Sequence, residues 1–364
     1  MKTLVPALRR TVVLAGLAGL PIVVTVTMFV TAQSTNSLSV DFHNELYPEA
    51  SLVLDGENPF AEPGTTDLAE GRNLIWPPLA VALVAPFTLL SAEAADWAVA
   101  FVGLGCFALA LWLVGVRDWR VYGAVALWPS VIGEIRVSHL TPFLCLLVAL
   151  AWRTRERRFA PGIAIGLAAG IKFFLWPVGV WLAATGRRAA AATACALAGS
   201  SLLLVLPYTG LDDYFRVLLD LGRIFDQGSY SLYGLVVQAG GPSWLGRTLT
   251  VIVGVALLLR CWVRRSLALA VAAALALSPI VWLDYFAVAA IPLAIARPRL
   301  SPVWFVPLVT WGLPSAGIGA ADIGGGIRVL LAFGVVMAVA ALGERPATAE
   351  PLSWHPKFDR RVRT

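Results

Sequence analysis

The chain has 364 residues, 59% of them apolar and only 14% charged, with a mean hydropathy of +0.78 and a formal charge of +6. That balance excludes a soluble globular domain and identifies an all-α polytopic integral membrane protein. In such a chain the distribution of charge matters more than its sum, and nucleic acid is not an expected partner.

Apolar runs recur from residue 11 to residue 343, with no polar interval long enough for a separate soluble domain. Residues 1–343 therefore read as one membrane domain, and 344–364 as a disordered cytoplasmic tail. The first run, 11–32, follows Lys2, Arg9 and Arg10. It is too long for a signal-peptide core and long enough to cross a ~30 Å hydrocarbon layer at ~1.5 Å per residue, so it reads as the first transmembrane helix.

Residues 33–73 and 207–246 read as the first and second outer loops. Residues 33–72 hold eight of the 22 acids against one Arg. Lys and Arg gather instead at 153–158, 187–188, 264–265, 297–299 and 345–363. The positive-inside rule places those clusters and both termini in the cytoplasm and the two acidic loops outside.

Within VDFHNELYPEASLVLDGENPF, residues 40–60, Asp41, Glu45 and Glu49 recur at helical spacing, while Phe42, Leu46, Ala50, Val53 and Leu54 mark the opposite face. Pro48 opens a second short helix, and Gly56 with Asn58-Pro59 ends it. The loop is expected to lay short amphipathic helices on the outer membrane surface, solvated by Glu45, Glu49, Glu57, Glu62, Asp67 and Glu70. Asp41 sits between apolar Val40 and Phe42 where the helical turn begins. By position alone it is a helix N-cap first and a general base at a cavity mouth second.

Further full spans are expected at 74–91, 97–116, 189–207, 247–263, 301–318 and 327–343. Between the basic clusters at 158 and 187, and again between 265 and 297, the chain leaves the cytoplasm and returns. Each leg then has roughly 13 to 15 residues and covers about 20 Å, too short for a lipid-exposed crossing. Such legs persist only where their ends meet protein or water, so both hairpins are expected to wall a cavity open to the outer side. Residues 121–152 form a third broken element, with Pro129, Gly133, Glu134, Arg136, His139 and Pro142 in mid-segment. Counting it as one crossing gives about 12 transmembrane helices, within a range of 10 to 13.

Lys172 stands in mid-hairpin, in AGIKFFLWP. An ammonium in hydrocarbon costs about 2.5 to 3.5 kcal/mol on the lenient insertion scale, so it holds a lipid phosphate or snorkels outward. Glu134 and Arg136 pair with each other or another helix, or else serve a substrate. His139 is expected to cap a helix or pack in the core. Cys106, Cys145, Cys195 and Cys261 show no paired or metal-type spacing, and no metal site is expected. The second outer loop, PYTGLDDYFRVLLDLGRIFDQGSYSLYG, suits an interfacial helix with a solvated charged face.

Asp41, Tyr47, Ala50, Gly56, the turn GENPF and the run LIWPPLAVALVAPFTLL together resemble the bacterial polyprenyl-phosphate-mannose-dependent mannosyltransferases of glycosyltransferase family 87, within the GT-C superfamily. GIAIGLAAGIKFFLWPVGVWL is similar to that family's Gly-rich segment ending in Ile-Lys, SYSLYGLVVQ to its Ser-Leu-x-Gly element, and LSPIVWLDYFAVAAIPLAI to its Ser-Pro-x-x-Trp segment. The likeness runs in order from about residue 41 to 296.

The resemblance implies a GT-C-like helical bundle with a long first outer loop and Asp41 as catalytic base. The donor it implies is mannose joined through phosphate to a polyprenol, and the transfer is inverting, to a hydroxyl of a glycolipid or glycan at the outer face of the cell membrane. Lys172 is expected on the donor phosphate, and Arg136, from charge and position, as a second phosphate contact. Tyr47, Asn58 and Asp284 are carried as further substrate contacts. Asp284 departs from the family, many members of which have His near this place, and an ionised Asp accepts but does not donate. No cofactor and no soluble nucleotide-sugar domain is implied. The alternative reading is a lipid or sugar transporter or flippase of the cell envelope, lined by broken helices; the paired halves common in such proteins are not visible in the sequence.

Overall fold

The computed structural model describes residues 11–65, 76–225, 228–314 and 322–344, and among them every regular element is helical. Asp67, Glu70 and the tail beyond 344 lie outside the described residues.

Helix α1, Thr11–Ser34, is apolar all round and largely exposed, as a lipid-facing span should be. A turn leads to a π-helical stretch, Phe42–Leu46, that runs directly into α2, Tyr47–Asp55. Gly56 ends α2 at φ +78°, a conformation that disfavours a side chain. Phe42, Leu46 and Ala50 are fully buried, as the periodicity required, whereas Leu54 faces out.

After α3, Pro78–Leu89, and α4, Ala92–Leu113, comes α5, Trp119–Ala126. The chain then breaks, as the mid-segment Pro and Gly foretold, into two four-residue turns, Pro129–Ile132 and Glu134–Val137, before resuming as α6, Thr141–Arg153. The first hairpin pairs α7, Ala160–Ile171, with α8, Phe173–Ala184, and α9, Arg188–Val205, follows. Helix α10, Leu211–Ile224, is the amphipathic helix expected within 207–246. It buries Tyr214 and Val217, and its exposed face pairs Arg216 with Asp212 and Asp213 and Arg223 with Asp220. Then come α11, Leu232–Gln238; α12, Ser243–Arg264; and a second hairpin of α13, Leu267–Leu277, and α14, Leu283–Ala296. A 3-10 helix, α15, Pro302–Thr310, precedes the last span, α16, Ile323–Gly343.

Among the described residues five helices, α1, α4, α9, α12 and α16, are long and apolar enough to cross a membrane, and six more apolar helices are shorter. The protein is thus a multi-pass membrane protein. The spans expected at 74–91 and 301–318 come out shorter for one reason. Pro77, Pro78 and Pro86 interrupt the first, and Pro302 and Pro307 hold the second in a 3-10 helix of 9 residues. The two hairpins have the short legs expected of them; the 12 residues of α7 span only about 18 Å.

What lets short legs pack deeply is close backbone approach. Gly162, Gly166 and Gly170 lie on one face of α7 against Ala190, Ala194 and Ser201 of α9. A β-carbon at Gly166 would stand 2.8 Å from Leu197 Cβ and 3.0 Å from the Ala194 carbonyl oxygen. At the start of α13, Glu344 Oε1 accepts from Ala268 N at 2.8 Å while Ser266 Oγ accepts from Leu269 N, which together satisfy free donors there.

Candidate active site

Both hairpin bends, the broken segment after Trp128, the first-loop helices and α10 surround a cavity of about 660 Å³. Asp41 and Glu45 reach it from the segment after α1, Arg136 and His139 from the break, Lys172 from the first bend and Tyr285 from just beyond the second. Leu218, Leu221 and Phe225 add an apolar wall from α10. Two hairpins whose legs are too short to cross lipid thus wall a cavity, as expected of them.

At its floor, three titratable side chains stand in a row. A carboxylate oxygen of Asp41 meets His139 Nε2, and the opposite ring nitrogen, Nδ1, lies 3.2 Å from Asp284 Oδ1. The second contact is an ion-pair distance rather than an aligned hydrogen bond. Thr141 Oγ1 donates to the other Asp284 oxygen at 3.0 Å. His139 is held between Trp76, at 5.7 Å between ring centroids, and the edge of Tyr285, at 6.2 Å.

This geometry corrects three expectations. Asp41 makes no side-chain capping bond at its helix start, because its carboxylate is taken up by the imidazole. His139 is neither a cap nor a bland core residue, since it links two acids from distant segments. Asp284 is fully buried and does not line the cavity; it stands behind His139.

The backbone around this row is strained. Ser138 and Leu140, on either side of His139, have φ of +51° and +64°, and Ser39, two residues before Asp41, has φ +53°. Each non-glycine residue so placed costs about 1 kcal/mol or more, and such strain persists only where surrounding contacts over-determine it.

Lys172 is the extended residue between α7 and α8, with φ −143° and ψ 113°. Its side chain is buried, and Nζ lies 3.9 Å from the ring centroid of Tyr285 and 4.8 Å from that of Trp76. Tyr285 is stacked in turn on Phe174 at 5.0 Å. The ammonium has no hydrogen-bond partner and no ion-pair partner among the described residues, so it does not snorkel to water. Aromatic faces attract a desolvated cation by about 2 kcal/mol but take none of its three N–H bonds. A cation so placed on a cavity wall is a site prepared for an anion. Arg136 lies on the same cavity, is exposed, and likewise lacks an ion-pair partner among the described residues. Glu134 is buried nearby and is not paired with it.

The first-loop acids also depart from expectation. Glu45 and Glu49 do not solvate the surface, because the helix face that carries Asp41 turns inward. Glu45 Oε2 accepts from Trp76 Nε1 at 2.9 Å, and burial, reinforced by the charge of Asp41, pushes its carboxyl up to about 7. Glu49 is 2% exposed, and neither carboxyl oxygen has a partner. Burial, with Glu45 adding to it, holds that acid well above the usual carboxylate range.

Two candidates fall outside the cavity. Tyr47 donates its hydroxyl to the Leu90 carbonyl at 2.9 Å, tying α2 to the end of α3. Asn58 is exposed, and its Oδ1 accepts from Phe60 N at 3.0 Å in the turn after α2. Both hydrogen-bond to loop backbone, and neither lines the cavity. Among the described residues no three His, Cys, Asp or Glu side chains are grouped to hold a metal ion. Sequence reasoning passed over Trp76, Tyr285 and the role of His139. The one available hint was the run SHLTP, a histidine inside a broken apolar segment.

The family model of glycosyltransferase family 87 matches residues 74–283, more than half of the chain. The match takes in Trp76, Arg136, His139 and Lys172; it begins after Asp41 and ends one residue before Asp284. No curated protein and no solved structure matches the chain.

Proposed function

The chain belongs to glycosyltransferase family 87, and from that premise we propose that it moves a mannosyl or other hexosyl residue from a polyprenyl-phosphate sugar to a hydroxyl of a glycolipid or glycan at the outer face of the cell membrane. The observation that carries this reading is a pairing within one cavity: a partly exposed carboxylate, Asp41, and a buried, unpartnered ammonium, Lys172. Transfer from a sugar phosphate needs both, a base for the incoming hydroxyl and a positive charge for the departing anion.

In this mechanism the acceptor oxygen attacks the anomeric carbon as its proton passes to Asp41. The bond from that carbon to the phosphate oxygen breaks on the opposite face, the electron pair leaves with the polyprenyl phosphate, and the configuration inverts. Lys172 balances the charge that builds on the leaving group, more strongly because its rings exclude water from it. His139, backed by Asp284, occupies one oxygen of Asp41 and leaves the other for the acceptor. The apolar wall from α10 suits the isoprenoid next to the phosphate, and Arg136 suits a second phosphate oxygen or an anionic acceptor. The reading uses no metal ion or other cofactor. The acidic outer loops and basic cytoplasmic clusters support an outward-facing cavity with both termini inside.

The test is to incubate the full-length protein in liposomes with labelled polyprenyl-phosphate sugars and total lipid. Wild type should yield a labelled glycolipid or glycan, and Asp41→Asn should lower the rate by roughly 10²-fold or more at equal protein level. Wild-type transfer by Asp41→Asn would remove Asp41 as the base.

A further inference from the structure

Asp41 and His139 arrive on separate segments, and a pair of serines joins those segments. Ser39 Oγ and Ser138 Oγ are 2.8 Å apart, both buried, and their residues are 99 positions apart in the chain. Ser39 Oγ also lies 3.0 Å from the Asp96 carbonyl oxygen, Ser138 Oγ lies 3.1 Å from that of Glu134, and Ser39 N donates to Ile135 O at 3.1 Å. Each hydroxyl has a single proton. Either Ser138 donates to Ser39 and Ser39 to Asp96, or Ser39 donates to Ser138 and Ser138 to Glu134. In both arrangements the turn before Asp41 is bound directly to the turn before His139.

Asp96 adds a second anchor. Its carboxylate meets His43 Nδ1 at 2.8 Å, so the helical turn that carries Asp41 lies against one residue of α4 two positions before and two positions after the carboxylate. Three of the five non-glycine residues with positive φ among the described residues, Ser39, Ser138 and Leu140, stand within two positions of Asp41 or His139. Neither serine lines the cavity. Strain gathered on both sides of one side-chain contact, bridged by a satisfied polar pair in an otherwise apolar packing, marks an arrangement that fixes geometry.

We propose that Ser39 and Ser138 are positioning residues for sugar transfer: their hydroxyl pair sets the separation and orientation of Asp41 relative to His139. The proposal rests on the reading of Asp41 as the base. A loosened pair lets the carboxylate drift from the acceptor while the donor site around Lys172 stays intact, so the rate of the chemical step suffers and donor binding does not.

The experiment uses the full-length protein in liposomes, with polyprenyl-phosphate-mannose as donor and total lipid as acceptor, and reads kcat, donor KM and melting temperature. Ser39→Ala and Ser138→Ala are each expected to lower kcat roughly ten- to a hundredfold, with donor KM within about twofold of wild type. The double variant is expected to be no slower than the slower single, because losing either hydroxyl already breaks the pair. Ser138→Gly adopts φ +51° without strain; it should keep the melting temperature and still be slow. Wild-type kcat in the single variants, losses that multiply in the double, or a kcat restored by Ser138→Gly would each overturn the proposal. Asp41→Asn run alongside separates the two claims. If it is inactive while the serine variants are fast, only the positioning role fails; if it transfers at the wild-type rate, the reading of the base fails and the positioning role with it.

Discussion

Lys172, at the bend of the first hairpin, and Tyr285, in the first turn of α14, meet with the ammonium 3.9 Å from the centre of the phenol ring. The contact joins the two halves of the cavity wall, yet it leaves the lysine without a hydrogen bond. A buried unpaired cation costs stability, and it persists where a ligand completes it.

Replacing that cation should therefore separate stability from activity. Lys172→Met is expected to raise the melting temperature of the ligand-free protein, by the equivalent of about 1 to 3 kcal/mol, while lowering transfer roughly 10²-fold or more. Thermal unfolding of purified protein alongside transfer rates at saturating donor decides it. A destabilised but active variant would show that the lysine merely joins the two hairpins.

Asp284 lies behind His139 and does not line the cavity, and its charge faces both the imidazole and, at longer range, Lys172. Asp284→Asn keeps the shape and the Thr141 contact within reach but removes the charge facing Nδ1. We expect kcat to fall at least tenfold with a smaller change in donor KM, the opposite split from a residue that binds donor phosphate. Initial rates over a range of donor concentrations read both parameters.

The parts of this architecture that were legible in the sequence are those set by local composition. The five long spans follow from runs of about twenty apolar residues, and the hairpins from the spacing of Arg clusters against the length a crossing needs. Asp41 and Lys172 stood out because an isolated charge among apolar neighbours is costly. The role of His139 was not legible, because it is fixed by acids far away in the chain and by left-handed backbone at Ser138 and Leu140 that no local residue type announces. Helical spacing correctly put Asp41, Glu45 and Glu49 together on one face. It carried no information on whether that face met water or the cavity. Tyr47 and Asn58, carried as substrate contacts, prove to satisfy local backbone groups.

Glu45 makes the inward turn of that face measurable through pH. Its carboxyl is pushed from an ordinary 4.5 up to about 7, first by burial and then by Asp41, with Trp76 among the groups pulling the other way. The folded protein therefore keeps this proton where the unfolded chain has lost it. The associated stability is full below about pH 4.5, declines as pH rises, and is gone above about 7, a loss on the order of 3 kcal/mol. Glu45→Gln should flatten that part of the pH–stability curve, and so be the more stable protein at pH 8 while matching wild type near pH 4.5. Melting temperatures recorded from pH 4.5 to 8 test this. Parallel curves would place Glu45 in bulk water.

The glycine ridge of α7 sets how close α9 can come, and through Gly170, two residues before Lys172, it bears on the site itself. At Gly162 a β-carbon would run into the backbone of Ala190, 2.8 Å from its Cα, where neither helix can yield by a side-chain rotation. Gly162→Val or Gly166→Leu must push the helices apart, and a cost of roughly 2 to 4 kcal/mol is expected, seen as loss of folded protein in membranes. Gly179, on α8, has open space around the position of its missing β-carbon, so Gly179→Ala should be neutral or gain a few tenths of a kcal/mol from helix propensity. Gly170→Ala is the informative intermediate. Its β-carbon would meet only side-chain atoms, Leu79 Cδ2 at 2.8 Å and Ser201 Oγ at 3.0 Å. It should therefore fold, with the end of α7 displaced and donor KM raised several-fold through Lys172. Detergent-stable protein yield combined with donor KM for the four variants separates loss of packing from displacement of the ammonium.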